Sequence, residues 1–309
     1  MPDTSRASIA MLGLAALLSP LSALAGTNVV TSIKPVELLV KAVATDDIEV
    51  TSLVPAGSSP HNYTMRPSQR QALEKSDVIF WVGPEMETFL SRLLGGDEFR
   101  ERTVSLMHGD EVPKTNDTDE HEHEHDHGHG HDHGAGEDPH IWLDPVLALE
   151  MATDIHQALS QLKNVDTQAL DANLARFKKT LLEAEEDIQH RLGPLANISL
   201  FAYHDAFTRY AGHFNLKLDG ILTLNPELSP GARHIAEVQD KLRKANQPCL
   251  LTEPQFNRQW WRSITAGLDI TFSTWDPLAT DIESDRDGYV NFLHGIADNA
   301  LACLPENAQ

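Results

Sequence analysis

Residues 167–192 read TQALDANLARFKKTLLEAEEDIQHRL. Leu170, Leu174, Phe177, Leu181, Ile188 and Leu192 recur at spacings of three, four or seven, the repeat of one apolar stripe on an α-helix. Gly193-Pro194 ends the pattern, because proline cannot continue a helix. At 1.5 Å per residue, a helix of about 25 residues spans nearly 40 Å, long for an element inside one domain. The stretch is therefore expected to be a spine between two folded units.

On both sides of this spine the pattern changes to short β-branched runs. Before it come Val29 to Ile33, Glu49 to Val54, Val78 to Val82 and Thr103 to Met107, separated by helical stretches such as Pro67 to Lys75. After it come Ile198 to Ala202, Leu216 to Leu222, Cys249 to Thr252 and Ile270 to Ser273, with an amphipathic helix over Arg233 to Ala245. Strand–helix alternation implies parallel βα units. The expected fold is α/β: two βα lobes joined by one long rigid helix, with a cleft between the lobes. The expected divisions are a signal peptide at 1–25, a first lobe at 26–165, the connecting helix at 166–192 and a second lobe at 193–309.

Composition narrows the function. Hydrophobic residues make up 41% and charged residues 23% of the 309, enough for ordinary cores. Of the net charge of −22, a net −10 falls between Asp110 and Asp138, where eleven acidic residues face one lysine. This acidic balance argues against nucleic acid as a partner and is compatible with a cation. Residues Ile9 to Leu18 form an apolar run, followed by the small-x-small site Ala23-Leu24-Ala25. That is the form of a cleaved export signal, too short for a membrane anchor. No cysteine lies near the cleavage site to accept a lipid, so a free periplasmic chain is expected. In an exported chain the isolated pair Cys249 and Cys303 either forms a disulfide or remains as two buried thiols.

The strongest chemical signal lies within residues 110–137, a low-complexity segment expected to be a disordered loop. His121, His123, His125, His127, His129, His131 and His133 alternate strictly, with Glu122, Glu124, Asp126 and Asp132 between them. Imidazoles suit zinc, copper and nickel. A segment without fixed geometry is expected to bind several ions weakly. A tight site needs donors on rigid elements, and three histidines sit where a strand or loop meets a turn. They are His61 in GSSPHNY, His140 in DPHIW and His204 in YHDAF. Asp276, after the last strand, is the candidate fourth donor. Ligand groups of open α/β sheets gather at the carboxyl ends of strands.

These residues carry a family resemblance. SSPHNYTMRPSQ around His61, SDVIFWVGPEMETFL at 76–90, the acidic His-rich segment, DPHIWLDP at 138–145, YHDAFTRYAGHF at 203–214 and the pair Cys249 and Cys303 occur in that order. With them the chain resembles the ZnuA-type zinc-binding proteins, among the metal-specific solute-binding proteins of ABC transporters. The resemblance implies two α/β lobes joined by a long helix, with metal in the cleft. It implies His61, His140 and His204 as ligands and a bridge between Cys249 and Cys303. It also implies an inner-membrane ABC permease as partner. A periplasmic zinc chaperone is expected as a further partner, and the chain is expected to be a monomer. One departure matters. Some zinc members carry a Glu directly before the first ligand histidine, and here that residue is Pro60, which has no donor side chain. The fourth position then falls to water, Asp276 or a histidine of the tract. A histidine at 204 favours zinc, since manganese prefers oxygen donors.

Three neutral imidazoles and a water are also the form of a catalytic zinc site. However, the chain has no HExxH sequence and no evident general base beside a ligand, so capture of Zn²⁺ rather than hydrolysis is expected. A metal buffer with no transporter partner and a manganese-binding member of the same family are the other readings.

Overall fold

The computed structural model describes residues 26–107, 138–223, 226, 230–256, 261 and 264–305. The expected signal peptide and the histidine tract lie outside these residues. The described chain forms two four-stranded parallel sheets. The first has the order β2-β1-β3-β4, built from β1 (Thr27–Thr31), β2 (Ile48–Ser52), β3 (Val78–Trp81) and β4 (Thr103–Ser105). The second has the order β6-β5-β7-β8, built from β5 (Ser199–His204), β6 (Leu218–Thr223), β7 (Pro248–Thr252) and β8 (Thr271–Thr274). Helices α1 (Lys34–Val43), α2 (Pro67–Lys75), α3 (Thr88–Leu94) and α4 (Pro145–Ser160) accompany the first sheet. Helices α6 (Thr208–His213), α7 (Ala232–Lys244) and α8 (Gly288–Leu301) follow α5 (Thr167–Leu192), which links the two halves.

Side-chain alternation along the strands divides the core into three parts. Successive strand residues point to opposite faces. Val29, Val78 and Phe80 of the first sheet therefore enter one large central core, while Val30, Ile79 and Trp81 enter a separate cluster beneath α2 and α3. The second sheet does the same: Leu200, Ala202, Cys249 and Leu251 face the central core, and Phe201, Tyr203 and Leu250 face a cluster with Val238 and Leu242 of α7. The central core runs unbroken through both halves. By this parity, residues 204 and 253, just past the core-facing Ala202 and Leu251, point to the side the two halves share.

Helix α5 runs over the stretch Thr167–Leu192. Asp166 caps it by accepting from the Ala169 backbone N–H at 3.1 Å, satisfying one of the donors left open at a helix start. Its buried stripe is Leu170, Phe177, Leu181, Ile188 and Leu192, with Asn173 donating from its amide to the carbonyl oxygens of Val43 and Ala44 at the end of α1. The last helix, α8, is apolar on the face that meets α1 and α5, and so returns from the second sheet to the first. Residue 288 at its start is glycine because a Cβ there would lie 2.6 Å from the Glu283 carbonyl and 2.8 Å from Leu38. The Cys249–Cys303 disulfide ties the end of α8 to β7. No helix among the described residues is long and apolar enough to cross a membrane.

Candidate metal centre

Three segments meet between the lobes. His204 is the last residue of β5, and its face follows from the strand parity above. His61 lies on the loop between β2 and α2. Gln69 of α2 fastens both ends of that loop: its amide donates to the Leu53 carbonyl and, at 2.8 Å, to the Tyr63 hydroxyl, while its Oε1 accepts from Arg66 N–H at 2.6 Å. His140 precedes the 3₁₀ turn Ile141–Leu143, whose three side chains are all buried. Asp144 then caps α4 by accepting from Val146 N–H.

The three imidazoles converge. One ring nitrogen from each of His61, His140 and His204 lies within 4.8 Å of the other two. Nε2 of His140 and Nε2 of His204 stand 3.2 Å apart. The ring centroids are 5.0 to 5.6 Å from one another. His140 and His204 are 4% and 2% exposed, and His61 is half-buried. Pro60, Trp142, Phe256, Pro277 and Leu278 form an apolar rim around the group.

Each of the two buried rings is held from behind by a carboxylate. Asp138 Oδ1 lies 2.8 Å from Nδ1 of His140 and also accepts from the His140 backbone N–H at 3.0 Å. Glu253 Oε1 lies 2.7 Å from Nδ1 of His204. A carboxylate on Nδ1 places the proton there and leaves Nε2 with its lone pair free for a cation, the arrangement that raises the donor strength of a histidine ligand. Glu253 is itself 3% exposed, and its Oε2 has no hydrogen-bond partner among the described residues.

Electrostatics favour neutral rings. Burial lowers the pKa of His61 to about 3, and the charges of His140 and His204 add to the effect. Burial likewise lowers that of His140, outweighing its bond to Asp138. For Asp138, burial works upward, but the bonds from His140 and the charge of Arg209 prevail and hold the carboxyl below its ordinary value. Neutral imidazoles facing one another are the protonation state a transition-metal cation requires.

Asp276 stands apart from this cluster. Its Oδ1 accepts from Leu278 N–H at 3.0 Å and from the Gln255 amide at 2.6 Å, and its Oδ2 accepts from Thr280 N–H at 2.5 Å. The carboxylate closes the turn after β8, and it is not among the groups that converge with the three imidazoles. The other described histidines are engaged elsewhere or stand outside the site. His156 pairs with Asp171 and His213 with Glu185, while His234 bonds the Ile221 carbonyl and His294 lies beside Asp187 and Arg191.

Asp138 and Glu253 were not among the residues expected from the sequence. Glu253 had a legible signal: a lone carboxylate directly after an apolar strand, in TEPQF, occupies the same strand-end position as His204. Asp138 stands two residues before a candidate ligand, a spacing that lets its side chain reach back to the backbone and ring of residue 140.

Comparison with known proteins agrees with the geometry. A family model described as the periplasmic zinc-uptake complex component A, ZnuA, matches residues 29–303. The high-affinity zinc uptake system protein ZnuA of Yersinia pestis is 36% identical over 307 residues, covering 96% of each chain. The protein of the same name from Brucella abortus (strain 2308) is 30% identical, covering 92% of this chain and 94% of its own. Among solved structures, a crystal structure of ZnuA superposes with a TM-score of 0.69 at 21% identity, over 89% of this chain and 99% of that one. The periplasmic zinc-binding protein TroA of Treponema pallidum gives 0.70 at 17%, over 90% and 98%. These two likenesses bear on the fold, which is two parallel α/β lobes and a linking helix. With the family model spanning nearly the whole described chain, the protein belongs to the ZnuA family of periplasmic zinc-uptake components.

Proposed function

We propose that this chain captures Zn²⁺ between its lobes through His61, His140 and His204 and delivers it to an inner-membrane ABC permease. The observation that carries this reading is the convergence of three imidazole nitrogens within 4.8 Å, two of them braced by carboxylates. Three neutral imidazoles and one further donor make a tetrahedral zinc site. With Pro60 lacking a donor and Asp276 closing its own turn, the fourth position is taken by water. An all-imidazole protein set favours zinc over manganese, which prefers oxygen. The chain acts as a binding protein and not as an enzyme. It is exported by a cleaved signal at 1–25, carries no lipid anchor and works as a monomer. The lobes at 26–165 and 193–309 move little about the rigid helix at 166–192. The tract His121 to His133 collects ions weakly and raises their concentration near the cleft, and a periplasmic zinc chaperone is a second source of metal.

Metal analysis of the purified protein, followed by competition between Zn²⁺ and Mn²⁺, tests the reading. One tightly held zinc ion that manganese does not displace is expected. Preferential retention of manganese, or turnover of ester, phosphate or peptide substrates, would overturn it.

A further inference from the structure

The segment that carries His140 precedes the linking helix, yet residues that follow that helix grip it at three points. Trp142 donates from Nε1 to the Pro277 carbonyl at 2.7 Å. The Tyr289 hydroxyl of α8 donates to the Trp142 carbonyl at 2.7 Å. The third grip is Arg209, on α6. Its guanidinium donates from Nε (3.0 Å) and from a terminal nitrogen (2.5 Å) to the Asp138 carbonyl, and Nε lies 3.4 Å from Asp138 Oδ2. The other oxygen of that carboxylate holds the His140 ring.

We infer that Arg209 is a positioning residue for zinc capture, acting from the second lobe through Asp138 to fix the His140 ring. The inference rests on the zinc reading above and extends it to a residue that does not touch the metal. The planar guanidinium donates two hydrogen bonds to the carbonyl and lies beside the carboxylate as an ion pair at 3.4 Å, a combination that a single ammonium or amide cannot reproduce. Arg209 holds the backbone of Asp138 at its carbonyl, and the backbone and ring of His140 hold its Oδ1, so residue 138 is fixed at both the main chain and the carboxylate. His140 is thereby referenced to the same lobe as His204, and their Nε2 atoms are set 3.2 Å apart before metal arrives. His61, half-buried and on a loop of the first lobe, is the donor that completes the set.

The test uses the full chain with Arg209→Gln, and reads two quantities. One is zinc affinity by chelator competition. The other is the ring resonances of ¹⁵N-labelled histidines in the metal-free protein, with His140 assigned from His140→Gln. The expected result is an affinity loss of about 10- to 100-fold, the range for removing an outer partner of a metal ligand. It comes with shifted His140 ring signals and unmoved His61 signals. Unchanged affinity, or lost affinity with His140 signals unmoved, overturns the inference. His204→Ala separates this from failure of the zinc reading. If that variant loses tight binding while Arg209→Gln keeps it, only the role of Arg209 falls. If His204→Ala binds like the parent, the site itself is wrong. Should Arg209→Gln not fold, Arg209→Lys, which keeps the charge but not the fork, is read by the same two measurements and the same criteria.

Discussion

Glu253 Oε1 stands 2.7 Å from Nδ1 of His204, and both residues are almost fully buried at the carboxyl ends of neighbouring strands. The pair turns a strand-end histidine into a directed ligand, because the ring cannot flip without stranding its N–H. Glu253→Gln keeps an acceptor but removes the charge that strengthens the imidazole as a donor. Zinc affinity is expected to fall by about tenfold, toward the lower end for outer partners of metal ligands. Calorimetry on the variant, with unfolding followed in parallel, checks this. Unaltered affinity would mean that the carboxylate only fills space.

Asp276→Asn is expected to leave tight zinc binding within about threefold of the parent, under 1 kcal/mol. The amide keeps the acceptor for Leu278 N–H but presents N–H to the Thr280 N–H, losing a bond that closes the turn. A stability loss of about 1–2 kcal/mol follows. Chemical denaturation and chelator competition on one preparation read both. A hundredfold affinity loss would place Asp276 on the metal.

Three imidazoles with an ordinary pKa near 6.5 would lose zinc steeply as pH falls below that value, with up to three protons competing per ion. Burial alters this. The His61 ring stays neutral until about pH 3, and that of His140 is also lowered, so protons compete poorly in the folded protein. Apparent affinity should change by less than about tenfold from pH 7.5 to 5.5, against about a thousandfold for three ordinary rings. The cost appears in the metal-free fold instead. Because the folded pKa of His61 lies below the unfolded one, its contribution to stability is complete above 6.5 and is lost as pH falls toward 3. Titration calorimetry on protein lacking residues 119–134, so that the tract does not contribute, measures the first effect. A thousandfold decline would show that the rings are solvated.

Reducing the Cys249–Cys303 bond is expected to lower stability and leave the metal site in place, since neither cysteine borders it. The cysteines are 54 residues apart, for which loop-closure entropy gives about 4 kcal/mol. That corresponds to a fall in Tm of roughly 10 °C for a chain of this size. Differential scanning calorimetry with and without reductant, thiol content verified, decides it. An unchanged Tm would remove the structural role of the bridge.

Much of this was legible in the chain. The apolar stripe from Leu170 to Leu192 and the Gly193-Pro194 stop mark out α5, and Pro67 to Lys75 is a helix as its pattern implies. The eight β-branched runs are eight strands, with ends that differ by at most two residues. The three ligand candidates were recognisable because histidine at a strand end or turn has little packing reason to be there. The return of α8 to α1 was not legible, because a helix face does not say which distant helix it will meet. Nor were the pairings behind the candidate ligands. Glu253 stands at a strand end in the sequence, but that it meets His204 follows only from the sheet order that puts β7 beside β5, and Arg209 looks like an ordinary polar residue until α6 packs against residue 138. Asp276 had the right residue type at the right strand end, but two backbone N–H groups of its own turn and the Gln255 amide engage its carboxylate.

Zinc K-edge X-ray absorption on the one-to-one complex, with residues 119–134 deleted, tests the central claim most directly. The account predicts three imidazole nitrogens at about 2.0 Å, with multiple scattering from three rings, and one oxygen completing a tetrahedron. Replacing any one of His61, His140 or His204 with Ala should remove one ring from that spectrum and abolish tight binding. A first shell with fewer than three imidazoles in the parent, or one unchanged by His61→Ala, would contradict it.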